Sequence, residues 1–312
     1  MRAVAYNQFG GPEVLQVIDL PEPKPGPGEV VVRVRASTVN PVDLLNRSGG
    51  FAAVMGDIKP PYVCGVEFAG HVHALGEGVS GLTVGQPVIG IVNARRQGGG
   101  AHAEYVRVPA ASLAPAPQGV DLSAAATIPM NGLTAKMCLE ALDLAPGDTL
   151  LVTGGAGAVG GYVIQLAKKA GLTVVADAKE SDAPILRNLG VDTVVPRGEG
   201  MVAAVRAVCP QGVDGLVDAA ILTDRAAPAV RDGGRAATLR RTDVISDPRI
   251  QSHVIAVFNQ ATNTEALTFL AKAAADGALT LRVAKTLDMT QAAEAHRLVG
   301  GGGMRGRVVL TF

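Results

Sequence analysis

Two rhythms of apolar residues run along the chain. Up to about residue 122, short apolar runs such as Val30-Val-Val-Arg-Val-Arg35 and Pro87-Val-Ile-Gly-Ile-Val92 alternate with Gly and Pro. That is the pattern of short strands separated by turns, and it predicts a small β-rich barrel. Pro21 to Pro27 carries four prolines in seven positions, which excludes a helix or central strand and predicts a surface loop. The run Gly98-Gly-Gly100 predicts another loop. From about Leu133 strands and helices alternate, with strand-like segments at Thr149–Thr153, Thr173–Ala176, Thr193–Val195, Gly215–Ala219, Arg235–Leu239 and His253–Val257. The clearest helix is Val159 to Ala170, where Val159, Val163, Leu166, Ala167 and Ala170 share one face. Six strands interleaved with helices imply an α/β domain, a doubly wound parallel sheet of the Rossmann kind covered on both faces. A helix-like segment over Thr264–Asp276 stops at Gly277, and Leu279–Val283 and Arg307–Phe312 read as extended. The tail is expected to rejoin the first domain, giving one domain over 1–122 and 283–312 and a second over 123–282.

Composition narrows the function classes. The chain has 312 residues, 48% hydrophobic and 18% charged, with 28 basic against 28 acidic side chains. Such a chain folds around sizeable cores and has no net field to attract polyanions. Aromatics are scarce and Trp is absent, so platforms for stacking nucleic-acid bases are not expected. Cys64, Cys138 and Cys209 lie far apart with no Cys-x-x-Cys spacing and read as thiols in a reducing compartment. No apolar stretch of signal-peptide or membrane-spanning length occurs, so a cytoplasmic protein without nucleic-acid or membrane partners is expected.

The strongest local signal is Thr149-Leu-Leu-Val-Thr-Gly-Gly-Ala-Gly-Ala-Val-Gly160, in which Gly155, Gly157 and Gly160 make G-x-G-x-x-G between a strand and a helix. The first glycine of such a motif permits a tight turn, the second admits a pyrophosphate close to the backbone, and the third lets helix and strand pack closely. The helix N-terminus adds partial positive charge. The expected contacts are Gly155, Ala156, Gly157, Ala158, Val159 and Gly160, with Ala219 and Leu239 from the ends of later strands. S-adenosylmethionine is a rival occupant for a loop of this kind. Choice between nicotinamide cofactors falls at the end of the second inserted strand, where an acid would repel a 2′-phosphate. Asp177 lies close to that point, but counting along Val174-Val-Ala-Asp-Ala-Lys179 puts Ala178 on it, with Lys179 beside it and Arg197 arriving after the third strand. This favours NADPH, unless Lys179 and Arg197 are ordinary surface charges.

The whole chain resembles the medium-chain dehydrogenase/reductase superfamily, and within it the zinc-independent quinone oxidoreductases, the zeta-crystallin-like group. The segment Asn40-Pro-Val-Asp-Leu-Leu-Asn-Arg-Ser-Gly49 is similar to that group's Asn-x-x-Asp-x-x-x-Arg-x-Gly signature. Pro61-Tyr-Val-Cys-Gly-Val-Glu-Phe-Ala-Gly70, Gly100-Ala-His-Ala-Glu-Tyr105, Gly132-Leu-Thr-Ala135, Gly233-Gly-Arg235 and Gly306-Arg-Val-Val-Leu310 resemble further family segments. The resemblance implies a GroES-like barrel domain with a Rossmann domain inserted near its C-terminal end, a catalytic cleft between the two, and a homodimer paired through the last Rossmann strand, here His253–Val257.

Where zinc-dependent relatives carry Cys-x-x-Asp and Gly-His-Glu, this chain has Asn40-x-x-Asp43 and Gly65-Val66-Glu67. Three close protein ligands are then lacking, so no metal is expected, at His71, His73 and His102 included. Without zinc or an evident acid, the charge that hydride addition places on a simple ketone oxygen has no partner. A quinone or α,β-unsaturated carbonyl spreads that charge through its conjugation, and such acceptors are the expected substrates. The candidate catalytic residues are Asn40, Asp43, Asn131 and Thr134. Each has another reading, because Asn-Pro-x-Asp is also a helix N-cap, and Asn131 and Thr134 precede or open a helix. A non-catalytic NADPH-binding protein remains the alternative, since Phe51 stands where the group often has a tyrosine hydroxyl.

Overall fold

The computed structural model describes residues 1–240 and 244–312, which divide into two compact units. The first comprises Met1–Met130, Phe258–Ala275 and Leu281–Phe312, and the second Asn131–Val257 with Asp276–Thr280.

The first unit begins with β1 (Arg2–Tyr6), β2 (Gln16–Asp19), β3 (Glu29–Thr38), helix α1 (Pro41–Ser48), β4 (Tyr62–Val63), β5 (Glu67–Leu75), β6 (Pro87–Ile91), β7 (Tyr105–Pro109), β8 (Leu113–Pro115) and the short α2 (Leu122–Ala125). β3 is long because its Val positions face a dry interior: Val30, Val31, Val32 and Val34 are all buried. It is the hub of the sheet, antiparallel to both β5 and β7. Pro21–Pro27 is a loop, as four prolines demand. Helix α1 starts at its proline, carries Asp43 in its first turn, and ends on Gly49 with φ of 87°, a left-handed stop that glycine adopts freely.

Helix α3 (Pro129–Leu142) leads into the second unit. There β9 (Thr149–Thr153), α4 (Ala158–Lys169), β10 (Thr173–Ala178), α5 (Ala183–Asn188), β11 (Thr193–Pro196), α6 (Met201–Val208), β12 (Val213–Asp218), β13 (Val230–Thr238) and β14 (Gln251–Val254) follow. The six strands lie in the order β11-β10-β9-β12-β13-β14, every pair parallel. This is the doubly wound order, which turns back on itself beside the first strand. Leu150, Leu151, Val152, Val174, Val175 and Ala176 are all buried, as strands covered on both faces require. Beyond β12 the chain makes a turn with no glycine, and Ile221 and Thr223 take φ of 57° and 54°, left-handed values that a β-branched side chain resists.

Helix α7 (Thr264–Ala275) belongs to the first unit, and so do β15 (Val283–Asp288), α8 (Ala292–Gly301) and β16 (Arg307–Thr311). The tail extends the large sheet, β15 beside β16 and β16 antiparallel to β3. The expected strand over Leu279–Val283 is displaced: β15 starts only at Val283. Leu279 is buried as a packed side chain, whereas most of β15 faces solvent, so no apolar run marks it. The last Rossmann strand also sits earlier than expected, at Gln251–Val254, and Val257 opens a short 3-10 turn. Among the described residues no helix is long and apolar enough to cross a membrane.

Candidate active site

The glycine loop forms as the sequence implies, with one duty reassigned. The left-handed residue that lets the chain leave β9 is Gly154, with φ of 66°, one position before the motif's first glycine. Gly155 instead lies over the core, where a Cβ would meet Ile164, Ala176 and Leu186 at 3.0 to 3.3 Å. A Cβ on Gly157 would approach only the Gly154 carbonyl, at 3.0 Å, so the side away from the loop is open for a diphosphate. On Gly160 it would lie 2.5 Å from that carbonyl oxygen, the close helix-strand approach expected of the third glycine. Ala158 and Val159 begin α4, whose N-cap is Gly157. Loop and helix end together fit a dinucleotide diphosphate.

Asp177 holds this loop. Its Oδ1 accepts the Gly154 N–H at 2.6 Å, while Oδ2 is buried without a partner. Burial raises its carboxyl above the usual value, against the opposing pull of the Gly154 N–H and Arg197. The acid near the position expected to select the cofactor is therefore turned toward the backbone of the loop. Ala178 is buried at the end of β10, opposite Pro196 of β11, and the Arg197 N–H donates to the Ala178 carbonyl at 3.0 Å. Lys179 and Arg197 thus leave neighbouring strand ends side by side, both exposed. Ala219 lies against Gly154, 3.2 Å from where its Cβ would stand, and Leu239 follows the end of β13 half-buried.

In the first unit a buried polar network surrounds Asn40 and Asp43. The Asp43 carboxylate accepts the N–H groups of Asn40 at 2.9 Å and Gly65 at 3.0 Å. Burial raises this carboxyl, while His102 and those two N–H donors oppose the shift. Asn40 is the N-cap residue, in a capping box with Asp43 of the first turn, and its side chain also reaches away from the helix. Its Nδ2 donates to Glu67 Oε1 at 3.0 Å, and its Oδ1 accepts from Arg307 Nη2 at 2.6 Å. Capping is thus not its sole role, because a stronger, charged partner has drawn the carboxamide inward. Glu67, wholly buried, also accepts from Thr38 Oγ1, from Arg307 Nη2 at 2.9 Å and from the Met130 N–H at 2.7 Å.

The donors that a zinc ion would need at this point are thus engaged. Asn40 Oδ1 and Glu67 Oε1 both face one guanidinium nitrogen, a cation already in place, and Val66 offers no donor. The residues do not fit a catalytic zinc.

Asn131 and Thr134 lie inside the first two turns of α3, buried rather than at its cap, and belong to the second unit. Phe51 stacks beneath the Arg95 guanidinium at 4.5 Å. Sequence reasoning passed over Glu67, Arg307 and Thr38 as site residues. Glu67 and Arg307 each stood in a family-like segment, but no spacing in the sequence joins them, 240 residues apart. His102, grouped by sequence with His71 and His73, is apart from them: His73 is exposed beside Glu22 at 2.9 Å, while His102 is wholly buried.

Two family descriptions match the chain: an alcohol dehydrogenase GroES-like domain over residues 26–118 and a zinc-binding dehydrogenase domain over 189–310. An NADPH-dependent alkenal/one oxidoreductase of Arabidopsis thaliana chloroplasts is 32% identical over 80% of this chain and 64% of its own length; the chain thus spans less than two thirds of that relative. A quinone oxidoreductase from Coxiella burnetii superposes with a TM-score of 0.90 at 26% identity, covering 100% of this chain and 99% of that one. A solved NAD-dependent alcohol dehydrogenase gives 0.88 at 31% identity over the whole of both chains. With a doubly wound sheet and a GroES-like unit both in place, the chain belongs to the medium-chain dehydrogenase/reductase superfamily, in its quinone-oxidoreductase-like group.

Proposed function

We propose that this protein is an NADPH-dependent oxidoreductase that reduces a quinone or an α,β-unsaturated carbonyl without a catalytic zinc. The observation that carries the reading is the turn at Gly154 to Gly160, open over Gly157 and latched by Asp177, which suits a dinucleotide diphosphate at the N-terminus of α4. Lys179 and Arg197, leaving adjacent strand ends, supply two cations for a 2′-phosphate. The bound nicotinamide would supply the hydride. The chain's own part is to orient that ring and keep water away.

A guanidinium engaged by Asn40 and Glu67 supports the zinc-independent reading, and a conjugated acceptor needs no metal to carry the developing charge. Asn40, Asp43, Asn131 and Thr134 remain the proposed catalytic residues. Relatives named as alkenal/one and quinone oxidoreductases act on acceptors of this class. We further take the protein to be cytoplasmic and homodimeric, with β14, the edge strand of its sheet, as the pairing strand.

The test is oxidation of NADPH by the purified, chelator-treated protein over a panel of quinones and enones, with simple ketones as controls. Turnover confined to the conjugated acceptors is expected. Tight NADPH binding with no turnover on any acceptor would leave a cofactor-binding protein without catalysis, and turnover that needs added zinc would remove the metal-free mechanism.

A further inference from the structure

The polar network borders a second cluster that the redox reading does not use. Cys64, between β4 and β5, His102, between β6 and β7, and His296 on α8 bring one ligand atom each to within 4.8 Å of one another. All three are closed off from solvent, at 2%, 0% and 1% exposure. The two imidazoles meet nearly edge to face, with ring centroids 6.2 Å apart.

The hydrogen bonding leaves lone pairs aimed into this cluster. His102 Nε2 lies 3.1 Å from the Thr38 carbonyl oxygen, and a carbonyl only accepts, so the ring proton sits on Nε2. Nδ1 therefore carries a free lone pair, and it is buried without a hydrogen-bond partner. A backbone carbonyl that fixes the tautomer through the far ring nitrogen is the usual support of a metal-ligating histidine. His296 has neither ring nitrogen partnered, although it is buried. Buried polar atoms are seldom left so, and two neighbouring histidines with three orphaned nitrogens ask for a common partner. Gly65 admits the arrangement: a Cβ there would stand 2.4 Å from the His102 ring.

We propose that Cys64, His102 and His296 form a binding site for a soft d10 cation, zinc(II) or copper(I). One thiolate and two neutral imidazoles are the donors such ions prefer, while magnesium and calcium take oxygen. Ligand atoms sit about 2.0–2.3 Å from zinc, so atoms up to 4.8 Å apart must each move inward by up to roughly 0.5–0.8 Å to close on an ion. With copper(I) the thiolate cancels the charge of the ion. Zinc leaves one positive charge, which Asp43, acting electrostatically on Cys64 and His102, favours and the Arg47 guanidinium, acting on Cys64 and His296, opposes. Binding breaks the S–H bond of Cys64, forms the sulfur-metal bond and releases one proton; no electron is transferred. The site adjoins the Asn40–Glu67–Arg307 network through Thr38 but uses none of its side chains as ligands, so it does not restore a catalytic zinc.

The test is to produce the full chain in medium supplied with zinc or with copper, and to refold it anaerobically with zinc sulfate or with copper(I) held by a weak chelator. Metal content is then read by mass spectrometry and ligation by X-ray absorption. The expected result is one ion per chain bound through sulfur and nitrogen, with one proton released per ion, and the better-retained metal names the ion. Cys64→Ala, His102→Gln and His296→Gln should each weaken retention at least about tenfold, while the His71→Gln/His73→Gln double variant should retain the ion. If a variant fails to fold, the wild-type stoichiometry and its absorption spectrum still decide. Substoichiometric metal in both arms, or an ion retained equally by the folded variants, overturns the site.

Discussion

The glycine loop of the second unit and the polar network of the first solve opposite problems. The loop works mainly with backbone, a left-handed Gly154, an open Gly157 and a Gly160 pressed against a carbonyl, all within seven residues and latched by one side chain, Asp177. The network works with side chains from distant strands, Thr38, Asn40, Glu67 and Arg307, whose pairings span up to 269 residues of chain. A site made of backbone is fixed by local turn chemistry. One made of buried charge stands only if every partner arrives, because each unpaired charge left in a dry interior is heavily penalised.

The largest effect should therefore come from the network. Arg307→Met leaves the buried Glu67 short of its cation, and should lower unfolding free energy by about 3–5 kcal/mol, read from urea midpoints. Adding Glu67→Gln should restore much of that loss, and a double variant no better than the single would show that Arg307 acts by packing alone. Next in size is the pair proposed to select the cofactor. Lys179→Ala together with Arg197→Ala should weaken NADPH by roughly tenfold or more, as expected for lost charge-assisted bonds at an exposed site, and leave NADH nearly unchanged in a fluorescence titration. Equal weakening of both cofactors would show that neither side chain reads the 2′-phosphate.

The smallest effect tests the loop's latch. Asp177 ionises in the folded protein above its usual 3.8 because it is buried. The unfolded chain then ionises first, so stability is lost as pH rises through the interval from 3.8 up to the folded-state value. Asp177→Asn keeps an acceptor for the Gly154 N–H and removes the charge. It should be more stable than wild type near neutral pH, and the gain should fade in acid below 3.8. A constant difference across the pH range would mean that the carboxyl does not titrate in this way.

The same contrast explains what could be read beforehand. Thr149–Thr153 and the strands after it are apolar runs because parallel strands are buried on both faces, and the glycine spacing marks its own turn. The first residue of α1 and the acid in its first turn were also legible, but the direction of the Asn40 carboxamide was not. It depends on Arg307, 267 residues away, and nothing local to either residue signals the pairing. β15 went unread for the opposite reason, since its exposed Ala284, Lys285 and Thr286 carry no apolar periodicity. The cluster of Cys64, His102 and His296 was invisible because their spacing matches no ligand motif; only the folding of three separate segments joins them.

Arg307 gives the network a property that a bound ion could not. A guanidinium keeps its proton at any pH a protein survives, and it is joined to the chain by covalent bonds. Positive charge beside Asn40 and Glu67 is thus inherited with the polypeptide, present from the moment of synthesis, and neither starvation for trace elements nor a strong chelator can strip it away.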